Sequence, residues 1–183
     1  MKALRNIILI GFMGTGKTAV GRRLADRLGR PFVDTDREIE KLFGQRVAQI
    51  LSRYGEVRFR SEEALLVRKL AARDGMVIAT GGGLVLNPDN VRLLGENGIF
   101  IGLKADADTI YQRIRAKRDR PFLQRGQDLK TCLRQMIADR DGAYAMAEIT
   151  VDTGTQSPWE AVERIVSYVQ GVNGDRHRDG PGI

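Results

Sequence analysis

The stretch LIGFMGTGKTAVG, residues 9–21, places four glycines, a lysine and two threonines directly after an apolar run. Its centre, residues 11–18, matches the pattern G-x-x-x-x-G-K-[ST] between a predicted strand and a predicted helix. Glycines there let backbone N–H groups turn toward a phosphate, and the following helix adds the positive end of its dipole. The combination of strand, loop, Lys-Thr pair and helix favours a phosphate-binding loop over a glycine-rich turn without a ligand.

The side chains of this loop have separate expected roles. Lys17 reaches the β- and γ-phosphates of a nucleotide, and the Thr18 hydroxyl can ligate Mg²⁺. We therefore expect ATP as co-substrate and Mg²⁺ as cofactor. The residues expected to contact ATP here are Gly14, Thr15, Gly16, Lys17, Thr18 and Ala19.

Two missing motifs narrow the class of nucleotide-binding protein. The sequence has no N-K-x-D motif, which GTPases usually carry for base recognition. The apolar run MVIAT ends in Gly81, Gly82 and Gly83, whereas motor and regulatory ATPases usually end such a strand in two acids. Both absences favour a small P-loop kinase.

Apolar runs alternate with segments of helical spacing along the chain, which predicts a parallel sheet covered on both faces. The sequence thus indicates an α/β fold of three layers, α/β/α, in one domain spanning residues 1–170. A glycine-rich polar tail follows at residues 171–183, and we expect it to be disordered. The predicted strands are 7–10, 31–33, 76–79, 98–103 and 148–151. One predicted helix begins near Lys17, and three others cover 61–72, 109–116 and 158–169.

Composition restricts the partners and the chemistry. The formal net charge of +7 calls for an anionic partner, either nucleic acid or a phosphorylated small molecule. The single histidine, His177, lies in the polar tail, so a proton acceptor must be Asp or Glu and a metal site must use oxygen ligands.

The single cysteine, Cys132, suits a reducing cytoplasm and is interpreted as a half-buried helical residue. No apolar run approaches the roughly 20 residues that span a bilayer, so we expect no membrane association.

Two carboxylates, Asp34 and Asp36, follow the second predicted strand in the segment FVDTD. If the strand persists, alternation points both to one side at the carboxyl end of the sheet, where α/β proteins bind ligands. One acid would then hold Mg²⁺ through water while the other accepts a substrate hydroxyl proton. The alternative is an exposed acidic pair in the first turn of the next helix.

Three further segments carry candidate binding residues. In FRSEE, Arg60 and Glu63 are neighbours on a helix, either as a surface ion pair or as a held arginine that grips a substrate carboxylate. The run of three glycines at 81–83 suits a close ligand approach, and a loose turn is the alternative. The basic segment RIRAKRDRP, residues 113–121, could form a nucleic-acid patch or a solvated helix face, but no interleaved aromatics support base stacking. In a kinase it suits a lid that closes over the transferring phosphoryl group.

Taken together, these motifs resemble the shikimate kinase family. The resemblance extends over roughly residues 5–170 and is carried by an ordered set: the glycine loop, DTD at 34–36, FRSEE at 59–63, GGG at 81–83, RPFL at 120–123 and RDGAY at 140–144. It implies a nucleoside-monophosphate-kinase-like fold with a five-stranded parallel sheet and a mobile lid at about 112–126. It also implies phosphorylation of the 3-hydroxyl of shikimate by ATP and Mg²⁺, on the route to chorismate, in a cytoplasmic monomer that binds no nucleic acid.

The resemblance further implies a role for each motif residue. Asp34 would hold the metal through water together with Thr18, and Asp36 would bind the reacting hydroxyl as base. Arg60 and Arg140 would clamp the shikimate carboxylate, Glu63 would steady an arginine, and the glycines Gly81, Gly82 and Gly83 would approach the ring. Lys17 and Arg120 would act on the transferring phosphate, and adenine would lie near Arg113 and the loop at 152–157, with Gln156 as its contact.

Two positions depart from the family's usual pattern. Phe122 replaces a leucine in the lid motif, an apolar exchange, and Gly142 stands where a proline is common, which loosens the backbone after Arg140. The nearest alternative function is another polyol-acid kinase, such as a gluconate kinase. A nucleotide-gated RNA-binding protein using residues 113–120, and a non-catalytic interaction module, are the alternatives from other classes.

Overall fold

Five parallel strands form the central sheet of the computed structural model, which describes residues 4–115 and 129–175. The strand order is β2-β3-β1-β4-β5, and every neighbouring pair runs parallel. All five predicted strands are confirmed, with ends displaced by no more than one residue. Their bounds are β1 (Asn6–Ile10), β2 (Phe32–Asp34), β3 (Val77–Ala79), β4 (Gly98–Lys104) and β5 (Ile149–Asp152).

Helices connect the strands and end the described chain. They are α1 (Lys17–Leu28), α2 (Thr35–Phe43), α3 (Val47–Ala71), α4 (Pro88–Gly95), α5 (Ala107–Arg115), α6 (Leu129–Asp141) and α7 (Pro158–Asp175), with 3₁₀ turns at Leu84–Leu86 and Gly142–Tyr144. The sequence predicted no range for α2, α4 or α6, although Cys132 of α6 was interpreted as helical, and α3 begins well before residue 61. Gly55 interrupts α3 with φ 81° and ψ 166°, so two helical segments meet at a kink.

The strands bury both of their faces, as expected for a parallel sheet. Ile7 and Leu9 of β1 pack with Val20 and Leu24 of α1 and with the apolar face of α7. Ile8 and Ile10 point the other way and pack against α3, α4 and the turn after β3. The α/β/α layering predicted from the sequence is therefore confirmed.

The ends of the chain correct one expectation. Helix α7 continues through Asp175, so residues 171–175 of the expected disordered tail are helical. Most of the expected lid and the rest of the tail lie outside the described residues. None of the described helices is long and apolar enough to cross a membrane.

Candidate active site

The loop between β1 and α1 has a backbone that glycine alone adopts without strain. Gly11, Gly14 and Gly16 have φ values of 139°, 82° and 93°. A side chain at Gly11 would also collide with the carbonyl oxygen of Leu103 on β4. Glycine at residue 11 therefore lets the loop pack closely against β4 at the carboxyl end of the sheet, while Ala19 lies exposed in the first turn of α1.

Lys17 directs its ammonium into this loop. Its Nζ donates hydrogen bonds to the carbonyl oxygens of Gly11 at 2.6 Å and Phe12 at 2.9 Å. The residue is 8% exposed, so its charge is held at the place where the loop would surround a phosphate. Thr15 closes the loop by donating its hydroxyl to the Phe12 carbonyl at 2.8 Å.

Asp34 joins the loop to the second strand. Its Oδ2 accepts the hydroxyl hydrogen of Thr18 at 2.6 Å, and its Oδ1 accepts the backbone N–H of Arg37 at 3.2 Å. The second bond makes Asp34 the N-cap of α2. The expectation that the strand persists through Asp36 is therefore wrong: β2 ends at Asp34, and Asp36 lies in the first turn of α2.

The start of α2 is nevertheless part of the site, because it packs against the glycine run after β3. The backbone N–H of Gly81 donates to the Thr35 hydroxyl at 2.8 Å. A methyl group at Gly81 would collide with Oδ1 of Asp36, so the absent side chain makes room for this carboxylate. Asp36 is half-buried rather than freely exposed. The segments DTD and GGG are thus brought together.

Arg60, on α3, is held on two sides by carboxylates. Its Nη1 donates to Glu63 at 2.9 Å, and its Nε and Nη2 donate to one oxygen of Glu56 at 3.3 and 3.2 Å. Burial alone would lower the pKa of Arg60, but Glu63 and Glu56 outweigh burial and the pKa lies above its usual value. A methyl group at Gly83 would lie 2.5 Å from Nη2, so the guanidinium packs directly against this glycine.

Glu63 is the most deeply buried carboxylate of the site, with 1% exposure. Its Oε2 accepts from Arg60, whereas its Oε1, beside Gly81, has no hydrogen-bond partner among the described residues. Burial raises the pKa of Glu63, Arg60 opposes the rise, and the nearby negative charge of Asp36 adds to it. The predicted Arg60–Glu63 pair is confirmed, with a buried carboxylate and a half-buried guanidinium.

Arg140 reaches the same region from the end of α6. Its guanidinium carbon lies 5.6 Å from the centre of the Phe12 ring in the glycine loop. Tyr144, four residues later, donates its hydroxyl to the Gly82 carbonyl at 3.0 Å. Burial raises the pKa of Tyr144, and the nearby positive charge of Arg140 opposes the rise. The sequence motif RDGAY contains both residues, but the sequence analysis assigned a role only to Arg140.

The other end of the loop meets α5 and the turn after β5. Arg113 donates from Nη1 to the Gly14 carbonyl at 3.2 Å and from Nη2 to the Thr153 carbonyl at 2.5 Å. The Thr153 hydroxyl donates to the Thr15 carbonyl at 2.8 Å, a contact that sequence reasoning missed. Oε1 of Gln156 is buried without a partner among the described residues, so one amide acceptor is available here. Arg120 lies outside the described residues.

Comparison with known proteins gives a consistent result. A family model described as shikimate kinase matches residues 13–170. A shikimate kinase from Pelotomaculum thermopropionicum is 58% identical over 93% of this chain and 98% of its own length, and one from Desulforudis audaxviator is 56% identical over 91% and 87%.

Among solved structures, shikimate kinases superpose on this chain more closely than a kinase that shares only the fold. A shikimate kinase from Acinetobacter baumannii in complex with shikimate superposes with a TM-score of 0.84 at 36% identity, covering 92% of this chain and 94% of that one. A gluconokinase from Sinorhizobium meliloti superposes with a TM-score of 0.59 at 16% identity, covering 99% and 100%, and this likeness shows the fold alone. The chain belongs to the shikimate kinase family.

Proposed function

We propose that this protein transfers the γ-phosphate of ATP to the 3-hydroxyl of shikimate, giving shikimate 3-phosphate and ADP. The observation that carries the proposal is the contact of one glycine run with both an acid and an arginine. Gly81 leaves room for Asp36, and Gly83 packs against Arg60. A small molecule with a hydroxyl and a carboxylate would meet a proton acceptor at one end of this run and a cation at the other.

The nucleotide would bind at the glycine loop. Lys17 supplies a buried positive charge inside the loop for the β- and γ-phosphates. Gly14, Thr15, Gly16, Thr18 and Ala19 would supply the remaining contacts with the phosphates. Arg113 and Gln156 would line the adenine side, where the buried amide oxygen of Gln156 can accept a hydrogen bond.

Mg²⁺ fits the oxygen pair at the start of α1 and the end of β2. A hydroxyl that donates its hydrogen to Asp34 keeps its lone pairs for a cation, so Thr18 can ligate directly while Asp34 acts through water. No three His, Cys, Asp or Glu side chains cluster as a metal site among residues 4–115 and 129–175, which fits an ion held mainly by phosphates and water. Bound there, Mg²⁺ would neutralise charge on the transferring phosphoryl group.

The chemical step would depend on positioning and charge more than on a strong base. Phosphoryl transfer passes through a loose transition state, so Asp36 can orient the attacking oxygen and accept its proton late. Arg60 and Arg140 would hold the shikimate carboxylate with charge-assisted hydrogen bonds, and Gly82 would lie against the ring. Lys17 and Arg120 would stabilise charge on the transferring group.

A coupled assay of ADP release tests the proposal against its nearest rival. Shikimate and gluconate are offered separately, each with and without Mg²⁺. We expect Mg²⁺-dependent turnover with shikimate and far less with gluconate. Preferred turnover of gluconate, or no turnover of shikimate, would overturn the proposal.

We also propose that the protein works as a monomer in the cytoplasm and needs neither nucleic acid nor a membrane. Light scattering after size exclusion checks the mass against 20.4 kDa for one chain. Because the net charge is +7, RNA binding is the interaction to test, and we expect none. RNA affinity that falls steeply with salt and responds to ATP would favour the RNA-binding alternative.

A further inference from the structure

Tyr144 lies between two groups that the proposed function assigns to substrate binding. It ends the 3₁₀ turn Gly142–Tyr144 that directly follows α6. Its ring packs against two apolar clusters, one beneath the sheet with Ile8 and Ile10 and one beside the glycine loop with Phe12. This packing fixes the ring, so the hydroxyl is presented at a defined place.

The hydroxyl connects distant segments of the chain. It donates to the Gly82 carbonyl at 3.0 Å. The Arg140 guanidinium lies 5.6 Å from the Phe12 ring, and Tyr144 packs against the cluster that contains Phe12. Carbonyl and N–H of one trans peptide point in opposite directions. Holding the Gly82 carbonyl therefore also sets the direction of the Gly83 N–H, next to the guanidinium of Arg60.

The chain between Arg140 and Tyr144 passes from α6 into the 3₁₀ turn through a glycine. Residue 142 is a glycine, exposed, with open space where a side chain would be. Glycine permits more backbone conformations than any other residue. Side-chain contacts therefore add to the restraint that α6 and the 3₁₀ turn supply, and the Tyr144 hydroxyl makes one with the glycine run.

We propose that Tyr144 is a positioning residue for the substrate carboxylate. Its hydroxyl holds the Gly82–Gly83 peptide beside Arg60, and its ring packs near Phe12, the residue against which Arg140 lies, before the substrate binds. This inference rests on the proposed function, because it concerns the same acid-binding end of the site. Tyr144 itself takes no part in phosphoryl transfer.

Tyr144→Phe tests the proposal, since it keeps the ring and removes the hydroxyl. We expect the KM for shikimate to rise about fivefold, the factor for one lost hydrogen bond, with kcat and the KM for ATP close to wild type. Tyr168→Phe is the matched control, because it removes a hydroxyl that bonds Glu148 on the surface at 3.0 Å. Its KM for shikimate should match wild type.

A second substrate distinguishes a lost positioning contact in the carboxylate-binding site from a general loss of rigidity in the variant. Shikimate methyl ester lacks the negative charge that Arg140 would bind, so the wild-type preference for the acid over the ester should narrow in Tyr144→Phe. An unchanged KM and an unchanged acid-to-ester preference in Tyr144→Phe would overturn the proposal, whether or not Tm falls. Wild-type protein that does not phosphorylate shikimate would instead overturn the proposed function.

A tyrosine analogue covers the case in which Tyr144→Phe does not fold. A ring-fluorinated tyrosine at residue 144 has a more acidic phenol, and an ionised phenol cannot donate to the Gly82 carbonyl. Relative to wild type, its KM for shikimate should rise with pH as the phenol loses its proton. A KM that follows the wild-type pH profile would contradict the positioning role.

Discussion

The Thr18 hydroxyl donates to Oδ2 of Asp34 at 2.6 Å, which joins the first turn of α1 to the end of β2. A hydroxyl bound to a carboxylate is oriented, and its lone pairs then face away from that carboxylate. Two residues separated by a helix and a loop therefore form one prearranged oxygen pair beside the glycine loop. Because Asp34 also caps α2, the same carboxylate links the proposed Mg²⁺ position to the helix that carries Asp36.

Thr18→Val should raise the Mg²⁺ concentration needed for half-maximal activity by about tenfold, because the variant keeps the branched shape and loses the oxygen. A hydrogen bond to a charged group contributes roughly 1.5–3 kcal/mol, so Tm should also fall. Activity against MgCl₂ at saturating ATP and shikimate measures the first effect. Thr150→Val, at an exposed position of β5, is the control, and an equal Mg²⁺ requirement in both variants would contradict the assignment.

Asp36→Asn should lose most of kcat while ATP still binds. The amide keeps the shape of the side chain in the space left by Gly81, but it is a much poorer proton acceptor. Steady-state turnover and calorimetric titration with ATP separate the two effects. Asp26→Asn, on the exposed side of α1, serves as control. Near-normal turnover of Asp36→Asn would remove Asp36 from the role of base.

Arg60→Lys should raise the KM for shikimate by about tenfold or more and change the KM for ATP little. Lysine keeps the charge but has no planar fork to serve Glu63, Glu56 and a substrate carboxylate together. Arg92→Lys is the matched control, because Arg92 also pairs with a glutamate one helical turn away, at 3.1 Å, on α4. Equal KM values for shikimate in the two variants would place Arg60 outside the carboxylate clamp.

The sequence predicted the sheet and the loop well because both depend on local patterns. Buried strands are short continuous apolar runs, and the phosphate loop requires glycines at fixed spacing. Helices α2 and α4 are short and were missed. Asp36 was expected near the site through strand alternation, but it gets there from the first turn of α2, so the location was right and its structural reason was wrong.

Contacts between distant segments could not be predicted in the same way. Tyr144 and Gly82 are 62 residues apart, and Thr153 and Thr15 are 138 apart. Each contact depends on which strands become neighbours in the sheet, and an isolated tyrosine or threonine carries no local signal for it. Glu56 was missed for a different reason, since an acid one turn before Arg60 looks like an ordinary surface ion pair.

The buried carboxylate of Glu63 should make stability depend on pH. Its pKa in the folded protein is raised above the ordinary value of 4.5 by burial, opposed by Arg60 and reinforced by Asp36 and Glu56. The folded state therefore holds this proton more tightly than the unfolded state. The contribution to stability is fully present below pH 4.5 and is lost as pH rises through the raised pKa.

Glu63→Gln removes this titration while it keeps the size of the side chain. The Tm difference, wild type minus variant, should become less favourable to wild type as pH rises from 4 toward 7, the range of about three units that includes the unfolded pKa of Glu. Thermal unfolding of both proteins across this range measures it. A Tm difference that stays constant with pH would show that Glu63 does not carry a raised pKa.

Alanine substitutions at the two ends of the glycine run should affect different kinetic constants. An alanine methyl at residue 81 would collide with Asp36, whereas one at residue 83 would lie 2.5 Å from Nη2 of Arg60. Gly81→Ala should therefore mainly lower kcat, and Gly83→Ala should mainly raise the KM for shikimate, each by about tenfold, the factor for roughly 1.4 kcal/mol. Both effects are steric, since neither glycine has a positive φ.

Gly171→Ala is the control for this pair, because residue 171 lies exposed on α7 with open space around it. It should leave both kinetic constants unchanged and stabilise the helix by about 0.5–1 kcal/mol. If Gly81→Ala raised only KM and Gly83→Ala lowered only kcat, the assignment of Asp36 to the hydroxyl and Arg60 to the carboxylate would have to be reversed. If neither differed from Gly171→Ala, the substrate would bind away from the glycine run, because a site built from Asp36 and Arg60 cannot stay intact when the methyl group at residue 81 displaces the first and the one at residue 83 displaces the second.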